Sequence, residues 1–159
     1  MLLHGLLKYW WLLFQHSKLI GQRTDIFRNV EDAFTLKHAF AFVNSEKIYV
    51  DIGSGSSALP TLIHSHRRAK TFATEMDPVY LKRQRTYMDI LGLREDGFRT
   101  QKEDATRLSF ADSSVDMITA VSTIEHIPGE GDSLAMREFC RVLRHGGRLV
   151  VTVPFRAAL

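Results

Sequence analysis

The chain has 159 residues, of which 45% are hydrophobic and 25% charged, the composition of an ordinary globular protein with core enough for about one domain. Those values exclude a disordered tail and a pair of ordinary domains. The net charge of +3 permits an acidic partner without demanding one, and the single cysteine, Cys140, leaves no internal disulfide and no cysteine-based zinc site, which suits a reducing, cytoplasmic setting.

The first element in chain order is the apolar run MLLHGLLKYWWLLF. His4 and Lys8 interrupt it, so it falls short of the roughly 20 apolar residues a membrane span requires. It has no basic region ahead of the apolar run and no small-residue cleavage site behind it, so it does not read as a secretory signal. Leu3, Leu6, Leu7, Trp10 and Phe14 recur at helical spacing, while Leu2, Trp11 and Leu13 carry the apolar surface most of the way round. Such a helix needs cover, from the domain or from a partner chain through residues 2–14, with peripheral attachment to a membrane surface as the alternative. Residues 15–46 continue in helical pattern, with Val30, Phe34, Leu36, Ala39, Phe40 and Val43 expected on one broad face. Residues 1–46 thus form a helical extension ahead of a domain over 47–159.

From Lys47 the pattern alternates strand and helix. KIYVDI is a strand, ALPTLIHSHR a helix, KTFATE a strand, and PVYLKRQRTYMDILG a helix opened by Pro78 and closed by Gly92. GFRTQK is a weaker strand and SVDMITAVS a strong one. GDSLAMREFCRVLRHGG is a helix with Asp132 or Ser133 as N-cap, Ala135, Phe139, Val142 and Leu143 buried, and Gly146 at the C-cap; RLVVTVPF is the last strand. The order predicts an α/β fold, a Rossmann-like parallel sheet with helices on both faces, preceded by the helical N-terminal segment.

In such a sheet a ligand binds outside the carboxyl ends of the strands, where the strand order reverses. The stretch YVDIGSGSSALP falls there. Gly53 and Gly55 allow a tight turn and a close approach to the backbone, and the helix that follows offers unpaired N–H groups to a carboxylate or phosphate. GSGSSA satisfies the dinucleotide pattern G-x-G-x-x-G/A, with Glu75 or Asp77 at the spacing of a ribose-binding acid, which keeps a nicotinamide-dependent oxidoreductase as a rival. Asp51 argues against it. A carboxylate two residues before the first glycine does not help a pyrophosphate but suits a ligand with an ammonium group, such as S-adenosylmethionine.

These residues carry a resemblance. VDIGSGSS resembles the first motif, D-x-G-x-G-x-G, of the class I S-adenosylmethionine-dependent methyltransferases, close to the type 11 group, with Asp51, Gly53 and Gly55 matching and Ser57 in place of the third glycine. ATEMDP resembles the end of that family's second strand, EDATRLSFADSSVDMITAVSTIEHI its next block, and REFCRVLRHGGRLVVTVP its final helix, glycine turn and fifth strand. The match runs from about Lys47 to Pro154.

The resemblance implies S-adenosylmethionine as cofactor, held by Asp51, Gly53, Ser54, Gly55, Glu75, Met76, Asp104, Ala105, Val121 and Ser122. Glu75 would accept from both ribose hydroxyls. Asp104 would accept from the adenine amino group, with the Ala105 N–H facing a ring nitrogen; Val121 and Ser122 would floor the methionine moiety. Each acid also has a local alternative: Glu75 as a solvated acid capping the helix that Pro78 opens, for which Asp77 is the better cap candidate, and Asp104 as the cap of the turn ATRLSF. His126 is the one histidine placed by motif at the crevice mouth, either as a base or as a loop anchor, and Glu125 reads as structural. No metal is expected, since His64 and His66 point to different sides of a helix. Arg137, Arg141 and Arg144 read as a solvated face, and with no aromatic residues interleaved there, nucleic-acid binding is not expected.

The family core has seven strands, whereas this sequence ends five residues after Pro154. The fifth strand is therefore expected as an apolar edge that residues 1–46, a further segment of a longer protein or a second copy of the chain would cover. The resulting expectation is a methyltransferase acting on a small-molecule acceptor, with a non-catalytic S-adenosylmethionine-binding module as the alternative.

Overall fold

The computed structural model describes residues 2–22, 26–93 and 97–154, with side chains described at 6–22, 30–93 and 97–154. Two helices, α1 (Leu2–Leu19) and α2 (Ile26–Phe40), precede the sheet. Then follow β1 (Ile48–Ile52), α3 (Leu59–Arg67), β2 (Lys70–Glu75), α4 (Pro78–Ile90), β3 (Phe98–Lys102), β4 (Val115–Val121), a short 3-10 turn (Ile124–His126), α5 (Gly131–Val142) and β5 (Leu143–Thr152). All strand pairs are parallel, in the order β3-β2-β1-β4-β5. The order reverses between β1 and β4, where a parallel sheet opens its ligand crevice.

Helices cover both faces. On one side Leu36, Ala39 and Val43, from α2 and just beyond it, and Leu59, Leu62 and Ile63 of α3 pack with Tyr49, Met117 and Val121. On the other, Ala135, Phe139 and Val142 of α5 pack with Val50, Ile52, Ile118 and Ala120. Alternate residues of β1 and β4 therefore serve opposite layers, and every residue of β4 is buried. Helix α3 is buried along six successive residues from Leu59 to His64, because α1 and α2 lie over it. His16 of α1 reaches Thr61 at 3.0 Å. The Thr61 hydroxyl proton is already given to Ala58 O at 3.1 Å, so His16 Nε2–H is the donor.

Three expectations need correction. Val30 and Phe34 are exposed, at 56% and 41%; the buried side of α2 carries Asp32, Ala33, Thr35, Leu36 and Ala39. Helix α5 ends at Val142, and Leu143 is already extended and paired with Val115. Gly146 is not its cap but part of a register excursion before Arg148 pairs with Met117. The irregularity brackets Asp116, 1% exposed, which accepts from Lys47 Nζ (3.1 Å) and the Ile48 N–H (2.8 Å) and forms an ion pair with Arg144 Nη1 at 3.2 Å. At its other end α5 starts at Gly131 with no side-chain cap; Asp132 accepts from the Ser133 N–H instead.

The arginine face is also more occupied than its pattern suggests. Arg141 donates to both oxygens of Glu138, to Asp112, and to the carbonyls of Leu108 and Phe110, tying down the loop after β3. β5 is an edge strand of the described sheet, as expected. On α1, Leu7 and Trp11 stay exposed while Leu13 is buried; the side chains of Leu2 and Leu3 lie outside the described residues. Among the described residues, no helix is long and apolar enough to cross a membrane.

Candidate cofactor cleft

Asp51, one residue before the end of β1, lies against Thr119 of β4, its register partner. It is 2% exposed and accepts a hydrogen bond from the Thr119 hydroxyl. Tyr49, two residues back on the same face, lies 2.8 Å from the same Thr119 oxygen. Since that hydroxyl gives its proton to Asp51, Tyr49 is the donor to Thr119, and the relay runs Tyr49 to Thr119 to Asp51. Burial first, then Asp51, raises the Tyr49 pKa well above its ordinary value. The phenol stays protonated and the relay keeps its direction.

Beyond Asp51 the chain turns through Gly53 and Gly55, at φ +65° and +48°, in the left-handed region that favours glycine. A Cβ on Gly53 would stand 2.4 Å from Thr123 Cγ2, so only glycine fits there. Ser54 turns inward, its N–H and hydroxyl both donating to Thr74 O (2.9 and 3.1 Å). Ser57 Oγ accepts from the Leu59 N–H at 3.1 Å and starts α3. From α4, Gln84 donates to Gly55 O (3.2 Å) and Ser57 O (2.9 Å), and Arg83 donates to the Ser56 hydroxyl. The glycine loop is thus held from two sides.

Glu75 ends β2 beside this loop. One carboxylate oxygen accepts from the Gly55 N–H (3.1 Å), the other from the Met76 N–H (2.8 Å). Each oxygen keeps acceptor capacity for a further donor, and the pair is fixed in orientation. Asp77, not Glu75, caps α4, accepting from the Val79 N–H at 2.8 Å.

Asp104 takes the local role anticipated for it. One oxygen accepts from the Thr106 hydroxyl (2.7 Å) and N–H (2.8 Å). Those two bonds, the hydroxyl's first, hold its carboxyl below the usual range, so it is an acceptor at neutral pH.

Two hollows meet here. A polar one of about 380 Å³ is lined by Asp51, Ser54, Gly55, Val121 and Ser122, with Gln22 and Tyr80 at its side. A more apolar one of about 590 Å³ is lined by Met76, Asp104, Ala105, Ile127 and Leu134. Gly53, Glu75, Thr123 and His126 border both. The structure therefore brings every sequence-predicted residue to this pair of hollows. His126 is exposed, its Nε2 3.8 Å from Glu125 Oε1, too far for an orienting hydrogen bond. His64 and His66 face backbone carbonyls, Ala69 O and Leu62 O, at 3.0 and 3.1 Å.

Several contributors escaped the sequence reading. Thr119 had one signal, a hydroxyl inside a fully buried strand, which must find a partner. Gln84 and Arg83 sit in the polar run LKRQR and look like surface residues. Glu31, whose Oε2 accepts from the Ser122 hydroxyl at 2.8 Å, had no signal at all.

With this geometry in view, comparison with known proteins is decisive for the family. A family model described as a methyltransferase domain, type 11, matches residues 50–151. The chain belongs to that methyltransferase-domain family. Methyltransferase GfsG of Streptomyces halstedii is 42% identical over 57 residues, 36% of this chain and 20% of its own length. A Methanococcus maripaludis protein assigned as an S-adenosyl-L-methionine-dependent methyltransferase superposes with TM-score 0.67 at 19% identity, over 91% of this chain and 58% of its own. The geranyl diphosphate C-methyltransferase of Streptomyces coelicolor, solved with Mg2+, geranyl diphosphate and S-adenosyl-L-homocysteine, gives TM-score 0.63 at 17% identity, over 74% of this chain and 43% of that one. These two likenesses establish the methyltransferase fold, with α1 and α2 ahead of its sheet. The chain spans a fifth of the curated relative's length and roughly half of the solved ones.

Proposed function

We propose that this domain binds S-adenosylmethionine across the two hollows and serves methyl transfer to a small-molecule acceptor. The carrying observation is Glu75: a carboxylate with each oxygen fixed by one backbone N–H, at the junction of a polar and an apolar hollow. The cofactor has matching parts, an amino acid at one end, a diol in the middle and a flat base at the other.

The residues fit it in that order. Asp51 and Ser122 face the amino acid end. Glu75 accepts from the ribose hydroxyls. Met76 and Ala105 flank the base, and the second oxygen of Asp104 accepts its amino group while the first stays on Thr106. Gly53 lets the ligand lie against the backbone, and Val121 closes the floor. A pyrophosphate is disfavoured because the buried Asp51 would repel it.

S-adenosylmethionine, when bound, supplies a methyl group already activated by the sulfonium. What remains for the protein is orientation and exclusion of water. His126 stands at the junction as the residue placed to take a proton from an acceptor that carries one. The test is isothermal titration of the chain with S-adenosylmethionine, S-adenosylhomocysteine and NADH. Micromolar binding of the two sulfur nucleosides without NADH supports the reading. NADH binding in their place would return the site to the dinucleotide class.

A further inference from the structure

The polar hollow has an electrical character that its motif does not explain. Among the described residues, no lysine or arginine lines it. The oxygens of its lining residues include the carboxylates of Asp51 and Glu75. Ser122, on the β4 side, is the third.

Ser122 is held unusually firmly. It is a non-glycine residue at φ +46°, a conformation that persists where the surroundings enforce it. Its N–H donates to Thr152 O at 2.9 Å and approaches Thr152 Oγ1 at 3.3 Å. Its hydroxyl proton goes to Glu31 Oε2 at 2.8 Å. A carboxylate accepts and a hydroxyl has one proton. With that proton committed to α2, Ser122 Oγ has only lone pairs left for a ligand.

We propose that Glu31 is a positioning residue: by taking the Ser122 proton it turns the β4 wall of the cleft into an acceptor for the ammonium of the ligand's amino acid end. This rests on the cofactor reading above and deepens it. Without Glu31 the Ser122 hydroxyl is free to point its proton into the cleft, towards the ammonium. The loss should be confined to ligands that carry the amino acid.

The experiment is isothermal titration with S-adenosylhomocysteine and with 5′-methylthioadenosine, which lacks that moiety. Glu31→Ala should weaken the first about three- to tenfold, the range of one hydrogen bond, and leave the second unchanged. Glu31→Gln, whose amide oxygen can still take the Ser122 proton, should recover most of the loss. Ser122→Ala should match Glu31→Ala, and the double variant should be no worse than either. Equal weakening of both nucleosides in Glu31→Ala would show a merely structural role and overturn the inference, as would additive losses or an undiminished affinity for S-adenosylhomocysteine. A wild-type chain that binds neither nucleoside would instead remove the cofactor reading, and this inference with it.

Discussion

Replacing Gly53 with alanine sets two independent costs on one atom. The backbone at φ +65° charges an L side chain about 1–2 kcal/mol for the left-handed region. The new Cβ would also lie 2.4 and 2.6 Å from Thr123 Cγ2 and Oγ1, and 3.1 Å from its Cβ. Relief requires Thr123 to move, although its hydroxyl is shared between Ile52 O (3.2 Å) and Val121 O (3.1 Å). Overpacking of this kind costs about 1–3 kcal/mol more, for a total of ~2–5 kcal/mol.

Gly55 is the control. Its φ is +48° but nothing stands nearer to its virtual Cβ than Gly53 O at 3.9 Å, so Gly55→Ala should cost only the backbone part, about 1–2 kcal/mol. Urea unfolding followed by circular dichroism measures both. Thr123→Ala removes the two closest atoms, so in a double-mutant cycle it should offset about 1–3 kcal/mol of the Gly53→Ala loss. Equal costs at Gly53 and Gly55, or no coupling to Thr123, would refute the close-approach argument.

Glu75→Ala, which removes the acceptor of the Gly55 and Met76 N–H groups, should weaken S-adenosylhomocysteine binding by about 1–3 kcal/mol in titration calorimetry; Asp77→Ala, at the cap, should lower thermal stability with affinity intact. Gln84→Ala frees the carbonyls of Gly55 and Ser57 and empties a fully buried site, so stability should fall by ~1–3 kcal/mol and cofactor affinity with it. Burial, helped by His66, lowers the His16 pKa from 6.5 to about 4. The folded state thus binds fewer protons there than the unfolded one, so the contribution of His16 to stability is whole above pH 6.5, declines towards pH 4 and is lost below it. The loss is at most about 3 kcal/mol, and a His16→Gln variant should show a correspondingly flatter stability profile across that window.

The sheet was legible because its strands signal themselves locally. β1, β2 and β4 are short apolar runs bounded by turn residues, and their predicted spans agree with the structure to within a residue or so. The motif residues were legible for the same reason: Asp51 and Glu75 lie at the carboxyl ends of β1 and β2, Gly53 and Gly55 in the turn after β1, and Asp104 and Ser122 just after β3 and β4. The phase of α2 was not. Bulk suggested that Val30 and Phe34 face inward, but Asp32 and Thr35 are the buried residues, Asp32 close enough to Tyr49 to add to its raised pKa after burial and Asp51. A helix's phase depends on what it meets, and here the small and apolar Ala33, Leu36 and Ala39 are the residues that pack against the sheet and α3. Gln84 and Glu31 act across 27 to 91 residues of sequence, a separation over which no local pattern reports.

The most direct test of where the cofactor lies is amide chemical-shift mapping of the labelled chain with S-adenosylhomocysteine. The structure predicts perturbed resonances at Gly53, Ser54, Gly55, Met76, Ala105 and Ser122, around the junction at Glu75, with Ile48, Asp116 and Arg144 at the opposite end of the strands unmoved. Saturable shifts confined to that far end, or none at the glycine loop and Met76, would contradict the assignment of this cleft.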